Sequence, residues 1–281
     1  MKSNLSHPEK FLLALWMTLF VFPAAGAAGF AATVSPPRFE LFAEPGEILR
    51  ESVEISNADT ATANFNMRTA DWELTEDGNV TIHPPELQPG SCRGWAKIER
   101  HKIKLLAESE RKYRFEIHVP EDAQPGECRV ALLLEGTAEE DLLAGAGEIR
   151  FPVQGRIAII VYVVVGDARP EMNLLRLGMD TVNSEQIPVA VLENSGKAHG
   201  RPSGILEGID AVGNRLEFTV SPSPVMPGQT RRIPIWPARS NRVSIRDIVL
   251  PLQLSGTIEW EGGKKKIDEA VSPTHRIGLT E

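Results

Sequence analysis

The sequence predicts an all-β protein made of two tandem sandwich domains that follow an N-terminal export signal. Short segments of alternating apolar and polar residues recur along the chain, and turn residues separate them, with 23 Gly and 21 Pro spread evenly through it. No long window carries the period of an amphipathic helix. The strand pattern also stops at a short polar joint, residues 166–170, and then restarts, which indicates two domains in 281 residues.

The first domain is predicted to cover residues 33–166. Its clearest strand carries apolar residues at every second position from Tyr113 to Val119, so that one face of the strand is buried. The stretch from Val34 to Phe42 is predicted to be extended, and Pro36-Pro37 within it suits a sheet edge. Roughly seven short strands over this length are typical of an antiparallel sandwich with immunoglobulin-like layering.

The second domain is predicted to cover residues 171–281 as a smaller immunoglobulin-like sandwich. The two halves share a loose echo, an alternating strand that ends in Asn, at Val53–Asn57 and again at Val189–Asn194. Tandem related domains would explain this echo. Because the joint is so short, the two sandwiches are expected to lie close together with a cleft between them.

The N-terminus has the three parts of a secretory signal peptide. Lys2 and Lys10 precede the apolar run at residues 11–22, and a zone of small residues follows it. Cleavage after Ala27 gives a signal peptide of residues 1–27, and Ala31 is a second possible site. An uncleaved membrane anchor is the rival interpretation, which the Pro and Gly after the apolar run disfavour. The mature protein is therefore predicted to be exported.

Charge and motifs argue against two broad functions. The chain has 38 Asp and Glu against 30 Lys and Arg, which is unsuited to general nucleic-acid binding because a basic face is needed. No hydrolase, zinc-protease or phosphate-loop motif is present, so neither enzymatic activity nor a cofactor or metal is expected. Glu193 and His199 could form an acid–base pair, but no nucleophile accompanies them.

Cys92 and Cys128 are the only cysteines. In an exported protein, two thiols more often form a disulfide than a metal site. Each follows a Pro-Gly turn signal, where a bridge that ties strands is easily placed. Two free thiols are the alternative.

The stretch from Ile149 to Val165 is the most informative part of the sequence. Its second half, from Ile157, is polar only at the Tyr162 hydroxyl and is rich in β-branched residues, which predicts a buried strand. Its first half alternates, with Ile149, Phe151 and Val153 on one side. This pattern predicts a half-exposed edge strand, and such strands can pair with another chain.

With these features together, the chain resembles the periplasmic pilus-assembly chaperones of the PapD-like family. The resemblance covers most of the mature chain, and the order of several weak motifs carries it rather than any one motif. These motifs are Val34-Ser35-Pro36-Pro37-Arg38-Phe39-Glu40-Leu41, Val53-Glu54-Ile55-Ser56-Asn57, Ala70-Asp71-Trp72, Pro125-Gly126-Glu127-Cys128-Arg129, Arg156-Ile157-Ala158-Ile159 and Glu193-Asn194-Ser195-Gly196-Lys197-Ala198-His199.

The resemblance implies a chaperone that binds pilin-like subunits lacking the last strand of their own sandwich. The subunit receives a strand from the chaperone, and Ile149, Phe151 and Val153 would be the donated side chains. Two basic residues, Arg38 and Arg156, would hold the subunit's terminal carboxylate. An outer-membrane usher is a possible further partner.

The sequence also departs from the family pattern. We call Arg38 and Arg156 the clamp residues. The position of Arg156 is often Lys in the family, and the Tyr that commonly follows it falls at Tyr162, one position late. A register slip of one residue would move the donor side chains to the other face of the strand. Pro152 interrupts the donor stretch, and both cysteines lie in the first domain rather than the second. The alternative is an exported immunoglobulin-like binding or structural protein without strand donation.

Overall fold

The computed structural model describes residues 30–75, 78–83, 85–137, 155–240 and 244–272. Strands dominate these ranges, and the only helical segments are two short 3₁₀ turns, Arg93–Trp95 and Ile245–Asp247. The predicted all-β fold class is therefore confirmed. No helix in the described ranges is long and apolar enough to cross a bilayer. The predicted signal peptide, residues 1–27, lies outside them.

In the part of the chain that the structure describes, eleven strands form the N-terminal sandwich, in two main sheets with the orders β1-β3-β9-β7 and β2-β11-β10-β4-β8, plus the hairpin β5-β6. The strands are β1 (Ala32–Ser35), β2 (Arg38–Ala43), β3 (Ile48–Asn57), β4 (Ala63–Ala70), β5 (Trp72–Leu74), β6 (Val80–Ile82), β7 (Ala96–Ile98), β8 (Lys102–Leu105), β9 (Glu110–His118), β10 (Gly126–Gly136) and β11 (Arg156–Val165).

The core of this sandwich lies between its two main sheets. From β9 it receives Tyr113, Phe115 and Ile117, and from β11 it receives Ile159 and Val161, all buried. These residues stand at alternate positions, as the period of two in the sequence predicts. The even-numbered residues of β11 face the other way, out of this sandwich, and their face is the candidate site described below.

The first strand differs from its prediction. The sequence indicates one extended segment from Val34 to Phe42, but the structure divides it at Pro36-Pro37 into β1 and β2, which belong to different sheets. A proline has no N–H to donate to a ladder, so two in succession interrupt the pairing with one sheet and allow a change to the other. As a result, β2 becomes an edge strand that runs parallel to β11.

The predicted disulfide between Cys92 and Cys128 is present, with a Cα–Cα distance of 5.4 Å. Cys92 stands at the start of the first 3₁₀ turn, and Cys128 lies in β10. The N–H of Cys92 also donates to the carbonyl of Arg129, at 3.2 Å. The bridge therefore fastens the long connection between β6 and β7 to the central sheet.

Seven strands form the C-terminal sandwich within residues 171–240 and 244–272, paired in the single order β12-β13-β16-β15-β14-β17-β18. The ladder folds over on itself, because side chains from all seven strands share one core and β12 contacts β18. The strands are β12 (Met172–Val182), β13 (Glu185–Asn194), β14 (Ile205–Ile209), β15 (Arg215–Val220), β16 (Thr230–Pro237), β17 (Leu252–Trp260) and β18 (Gly263–Val271).

The joint between the sandwiches is tied to the N-terminal one. Gly166, directly after β11, has a φ of 65°, a left-handed conformation that favours glycine, and its N–H donates to the carbonyl of Ala43 at 2.9 Å. A β-carbon at this position would lie 3.5 Å from the Pro125 ring. This turn leads the chain from the end of β11 into β12.

Candidate functional site

The candidate site is one face of the sheet β2-β11-β10-β4-β8, on the side away from the core of the N-terminal sandwich. We call it the cleft face. It is defined by the side chains that the strand registers bring together there, which are Arg38, Glu40, Arg68, Ala70, Glu127, Arg129, Ala131, Leu133, Glu135, Arg156, Ala158, Ile160 and Tyr162. The middle of this face is apolar, and its borders are charged.

The C-terminal sandwich covers one end of the cleft face. The ring of Tyr162 lies 4.2 Å from the ring of His199, centroid to centroid, and meets Trp72 edge to face at 5.2 Å. Met226, from the loop before β16, is buried in the same cluster. Desolvation by this packing raises the pKa of the Tyr162 hydroxyl, and the nearby Arg201 guanidinium opposes that rise. Further along β11, Ala158 and Ile160 are only half-buried.

A buried Glu–His contact joins the two sandwiches. Glu127 of β10 accepts two hydrogen bonds from His199, one from the backbone N–H at 2.7 Å and one from Nδ1 at 2.6 Å. Both side chains are almost fully buried, with 1% and 7% of their surfaces exposed. Because a carboxylate only accepts, Nδ1 must carry a proton here. The hypothetical partner of His199, Glu193, lies instead on an exposed position of β13.

Next to this contact, three basic side chains lie close to the carboxylate of Glu40. Glu40 Oε1 lies 3.0 Å from Nε of Arg38 and 2.9 Å from Nε of Arg201, and Nε2 of His199 is 3.7 Å away. Arg38 and Glu40 come from the edge strand β2, whereas Arg201 and His199 come from the loop between β13 and β14. Arg201 also packs against Tyr162, with its guanidinium carbon 5.6 Å from the ring centroid.

Arg156 stands at the opposite border of the cleft face. Its Nε lies 2.8 Å from Glu135 Oε1, and the same carboxylate accepts two bonds from Arg68 at 3.0 and 2.9 Å. The hydrogen bonds from Arg68, with the charges of both arginines, lower the pKa of Glu135 against the opposing effect of desolvation. This ion-pair network of Arg68, Glu135 and Arg156 lies at the end of the sheet where β11 begins.

The predicted clamp residues therefore share a face but not a partner. The register sets Arg38 opposite Ile160, four residues along β11 from Arg156, so about 13 Å of strand separates their levels. Both side chains are half-exposed, at 51% and 53%. To reach one carboxylate, each would have to leave its present glutamate and extend over Ala158 and Ile160.

The start of β11 has an open side. Antiparallel pairing with β10 covers the whole of β11, but pairing with β2 begins only at Ile160, whose N–H donates to the carbonyl of Pro37 at 3.0 Å. The backbone N–H and C=O groups of successive residues in a strand point to opposite edges. Those of Arg156 and Ala158 therefore point to the same edge as those of Ile160, but β2 does not extend far enough to pair with them. Among the described residues, no strand pairs with that side of residues 156–159.

The predicted donor residues Ile149, Phe151 and Val153 lie outside the described residues. Four residues of the site were missed by the sequence interpretation, namely Glu40, Glu127, His199 and Arg201. By sequence, His199 could form an acid–base pair with Glu193, whereas its partner in the structure lies 72 positions away in β10. No local pattern indicates that pairing, since it depends on how the two sandwiches are placed.

Comparison with known proteins gives structural neighbours only. No protein-family model and no curated protein sequence matches this chain. Among solved structures, the class 5 fimbriae chaperone CfaA is 10% identical, covers 86% of this chain and 100% of its own, and has a TM-score of 0.45. The Escherichia coli chaperone DraB is 10% identical, with coverages of 86% and 97% and a TM-score of 0.43.

A third neighbour is the chaperone–tip subunit complex CsuC–CsuE from the archaic chaperone-usher Csu pili of Acinetobacter baumannii. It is 11% identical and covers 87% of this chain and 99% of the matched chain, with a TM-score of 0.42. These neighbours are fimbrial chaperones, the kind of protein that the sequence resembles. At such identities and TM-scores the likeness does not bear on what this chain binds.

Proposed function

We propose that this chain is an exported, periplasmic assembly chaperone that binds pilin-like subunits by strand complementation. The observation that carries the proposal is the side of β11 at Arg156 and Ala158 with which no strand pairs among the described residues. It lies next to a sheet face with half-buried apolar side chains and the half-exposed guanidinium groups of Arg38 and Arg156. An incomplete subunit sandwich exposes unpaired amides and an apolar slot, and an edge strand satisfies both. The role is one of binding, without catalysis.

The donated side chains are proposed to be Ile149, Phe151 and Val153. Odd-numbered residues of β11 face the core, where Ile157 is partly buried and Ile159 fully buried. The sequence alternation predicts that the three donor residues continue that row, on the same side of the strand. A subunit that pairs with the open edge of β11 would then find apolar side chains at every second position to fill its slot.

Arg38 and Arg156 are proposed to bind the subunit's terminal carboxylate. A guanidinium binds a carboxylate through paired, charge-assisted hydrogen bonds, so the terminus can fix the register of the added strand. Both arginines are half-exposed on the same face as Ala158 and Ile160. Transfer of the subunit to an outer-membrane usher is the natural extension of this proposal.

The strand-addition step can be tested with one backbone substitution. Ala158→Pro removes an N–H on the open side of β11 and leaves the ladder with β10 intact, since proline is tolerated where its missing N–H would face solvent. The matched control is Ile157→Pro, which removes a donor from the ladder with β10 and should unfold the N-terminal sandwich.

The probe is a set of synthetic ten-residue peptides with alternating apolar residues, each made with a free C-terminal carboxylate and as the amide. The mature chain should bind the carboxylate forms more tightly and protect the N–H groups of Arg156 and Ala158 from hydrogen exchange. Folded Ala158→Pro should lose binding, and Arg38→Ala and Arg156→Ala should each lose the preference for the carboxylate. Unchanged binding by Ala158→Pro would leave the alternative, an exported immunoglobulin-like protein without strand donation.

A further inference from the structure

The cleft holds a carboxylate of its own at the place where a partner's carboxylate is expected to bind. Glu40 stands two residues after Arg38 on β2 and on the same face. Its Oε1 accepts a hydrogen bond from Nε of Arg201 at 2.9 Å and forms an ion pair with Nε of Arg38 at 3.0 Å. Its side chain is 35% exposed, so the contact is reachable from solvent. The guanidinium of Arg38 is therefore already engaged by the chain itself.

We propose that Glu40 is an internal competitor that sets how tightly the cleft binds a terminal carboxylate. This inference rests on the proposed function and adds a residue that limits it. An incoming carboxylate must take Arg38 from its ion pair with Glu40, so its net gain is the difference between the new interaction and the ion pair that is lost. Ligands without a carboxylate gain nothing from the exchange and are unaffected by Glu40.

Arg201 is placed to keep the site basic after Glu40 is removed. Its NH1 donates to the carbonyl of Pro222 at 3.3 Å, and its NH2 donates to the Tyr162 hydroxyl at 3.4 Å. With its stacking over the Tyr162 ring, these contacts do not depend on Glu40. The guanidinium thus stays in the cleft near Arg38, and Glu40→Gln leaves two cations facing a side chain that no longer carries a negative charge.

The charge of Glu40 lies between two cations. Its carboxylate is within 3.0 Å of Nε of Arg38 and within 2.9 Å of Nε of Arg201. Glu40→Gln removes this negative charge and keeps the shape of the side chain. An incoming carboxylate is therefore attracted to the two guanidinium groups more strongly in the variant than in the wild type.

The test measures affinity for a carboxylate in the Glu40→Gln variant of the full mature chain. The first probe is N-acetyl-alanine, and its binding is monitored by the NMR signals of the Nε–H groups of Arg38 and Arg201. N-acetyl-alaninamide is the uncharged control ligand. Glu40→Gln should bind N-acetyl-alanine about tenfold more tightly than wild type, the value of one charge-assisted hydrogen bond, with no change for the amide. Equal affinities in wild type and variant would overturn the inference.

A matched control removes a glutamate from an ion pair elsewhere. Glu185 Oε1 lies 2.9 Å from Arg246, and its side chain is 34% exposed, close to the value for Glu40. Glu185→Gln should leave the affinity for N-acetyl-alanine unchanged. A gain as large as that of Glu40→Gln would show that net charge alone accounts for the effect, and would also overturn the inference.

The second probe separates this inference from the proposed function. The ten-residue carboxylate peptides are titrated against wild type and Glu40→Gln. If the variant gains affinity for N-acetyl-alanine while neither protein binds the long peptides, Glu40 is a competitor at an anion site and strand addition is wrong. If wild type binds the long carboxylate peptides and the variant gains nothing for either probe, strand addition stands and the role of Glu40 is wrong.

Discussion

Glu127 of the N-terminal sandwich and His199 of the C-terminal sandwich form a buried pair that fixes the two against each other. The carboxylate takes two hydrogen bonds from the same residue, and its other oxygen, Oε1, is buried without a hydrogen-bond partner among the described residues. Val164, Ala168 and Ala198 form a small buried apolar cluster around the joint. The cleft face is thereby held at a set distance from the loop that carries Arg201.

His199→Ala should be strongly destabilising, because it leaves the Glu127 carboxylate buried with only one of its two hydrogen bonds. We expect the free energy of unfolding to fall by about 2–4 kcal/mol, as for the loss of a partner from a buried charged group. Urea denaturation at neutral pH measures this fall.

The control for this prediction is a similar pair on the surface. Nε2 of His118 lies 2.7 Å from Glu116, and the two side chains are 40% and 36% exposed. His118→Ala should lower the free energy of unfolding far less than His199→Ala, since solvent screens exposed pairs. Equal losses in the two variants would show that His199 contributes through packing rather than through the buried carboxylate.

Each sandwich also contains a buried asparagine that makes the same kind of hydrogen bonds. Asn57 donates Nδ2 to the carbonyls of Ala61 and Leu106, and its Oδ1 accepts from the N–H of Asp59. Asn194 does the same with Ala198, Val225 and Gly196. In both cases the side chain closes the turn that ends an alternating strand. The echo that the sequence shows therefore corresponds to one structural device used twice.

Asn194→Asp should destabilise the C-terminal sandwich more than Asn194→Ala. The alanine leaves two buried carbonyls without a donor, at a cost of about 2–4 kcal/mol. The aspartate keeps the shape but places a carboxylate against the carbonyls of Ala198 and Val225, which adds charge burial and repulsion. Chemical denaturation of both variants tests the order, and a more stable aspartate variant would contradict it.

Local pattern predicts the strands well but not their partners. The alternation from Tyr113 to Val119 and the apolar run after Ile157 identify β9 and β11, because side-chain period is a local property. The disulfide could be predicted because only one pairing of Cys92 and Cys128 exists. The division of the first strand could not, since Pro36-Pro37 is as compatible with one edge strand as with a change of sheet.

The functional site depends more on the tertiary structure. Arg38 and Arg156 could be named from a resemblance, but their separation by four residues of register appears only once β2 and β11 are paired. Glu40 and Arg201 are 161 positions apart and meet because the loop after β13 reaches across the cleft. No periodicity in either segment carries that information.

The loss of stability as the pH falls should depend in part on Glu135. Hydrogen bonds from Arg68, with the charges of Arg68 and Arg156, lower the pKa of this carboxyl in the folded state. A carboxyl with a lowered folded pKa contributes stability above its unfolded pKa and loses it as the pH falls through the folded pKa. Glu135→Gln should therefore lower the free energy of unfolding near neutral pH and have little effect at the acid end.

The measurement is the free energy of unfolding of wild type and Glu135→Gln between about pH 7 and pH 2.5, the range that spans an ordinary glutamate pKa. The two curves should converge as the pH falls. Parallel curves would show that the ion pair with Arg68 and Arg156 adds nothing to the acid dependence. Raising the salt concentration should reduce the gap near neutral pH, because part of it is electrostatic.

The disulfide should make a large contribution to the N-terminal sandwich. Cys92 and Cys128 are separated by 36 positions, and a loop of that size is expected to stabilise the folded state by about 4 kcal/mol through restriction of the unfolded chain. Replacing both cysteines by serine should lower the free energy of unfolding by that amount. Wild type measured in a thiol reductant should show the same loss.

Because the contribution arises in the unfolded state, the double variant should keep its affinity for carboxylate ligands under conditions where it is folded. A variant that is folded but has lost that affinity would show instead that the bridge shapes the cleft face through β10.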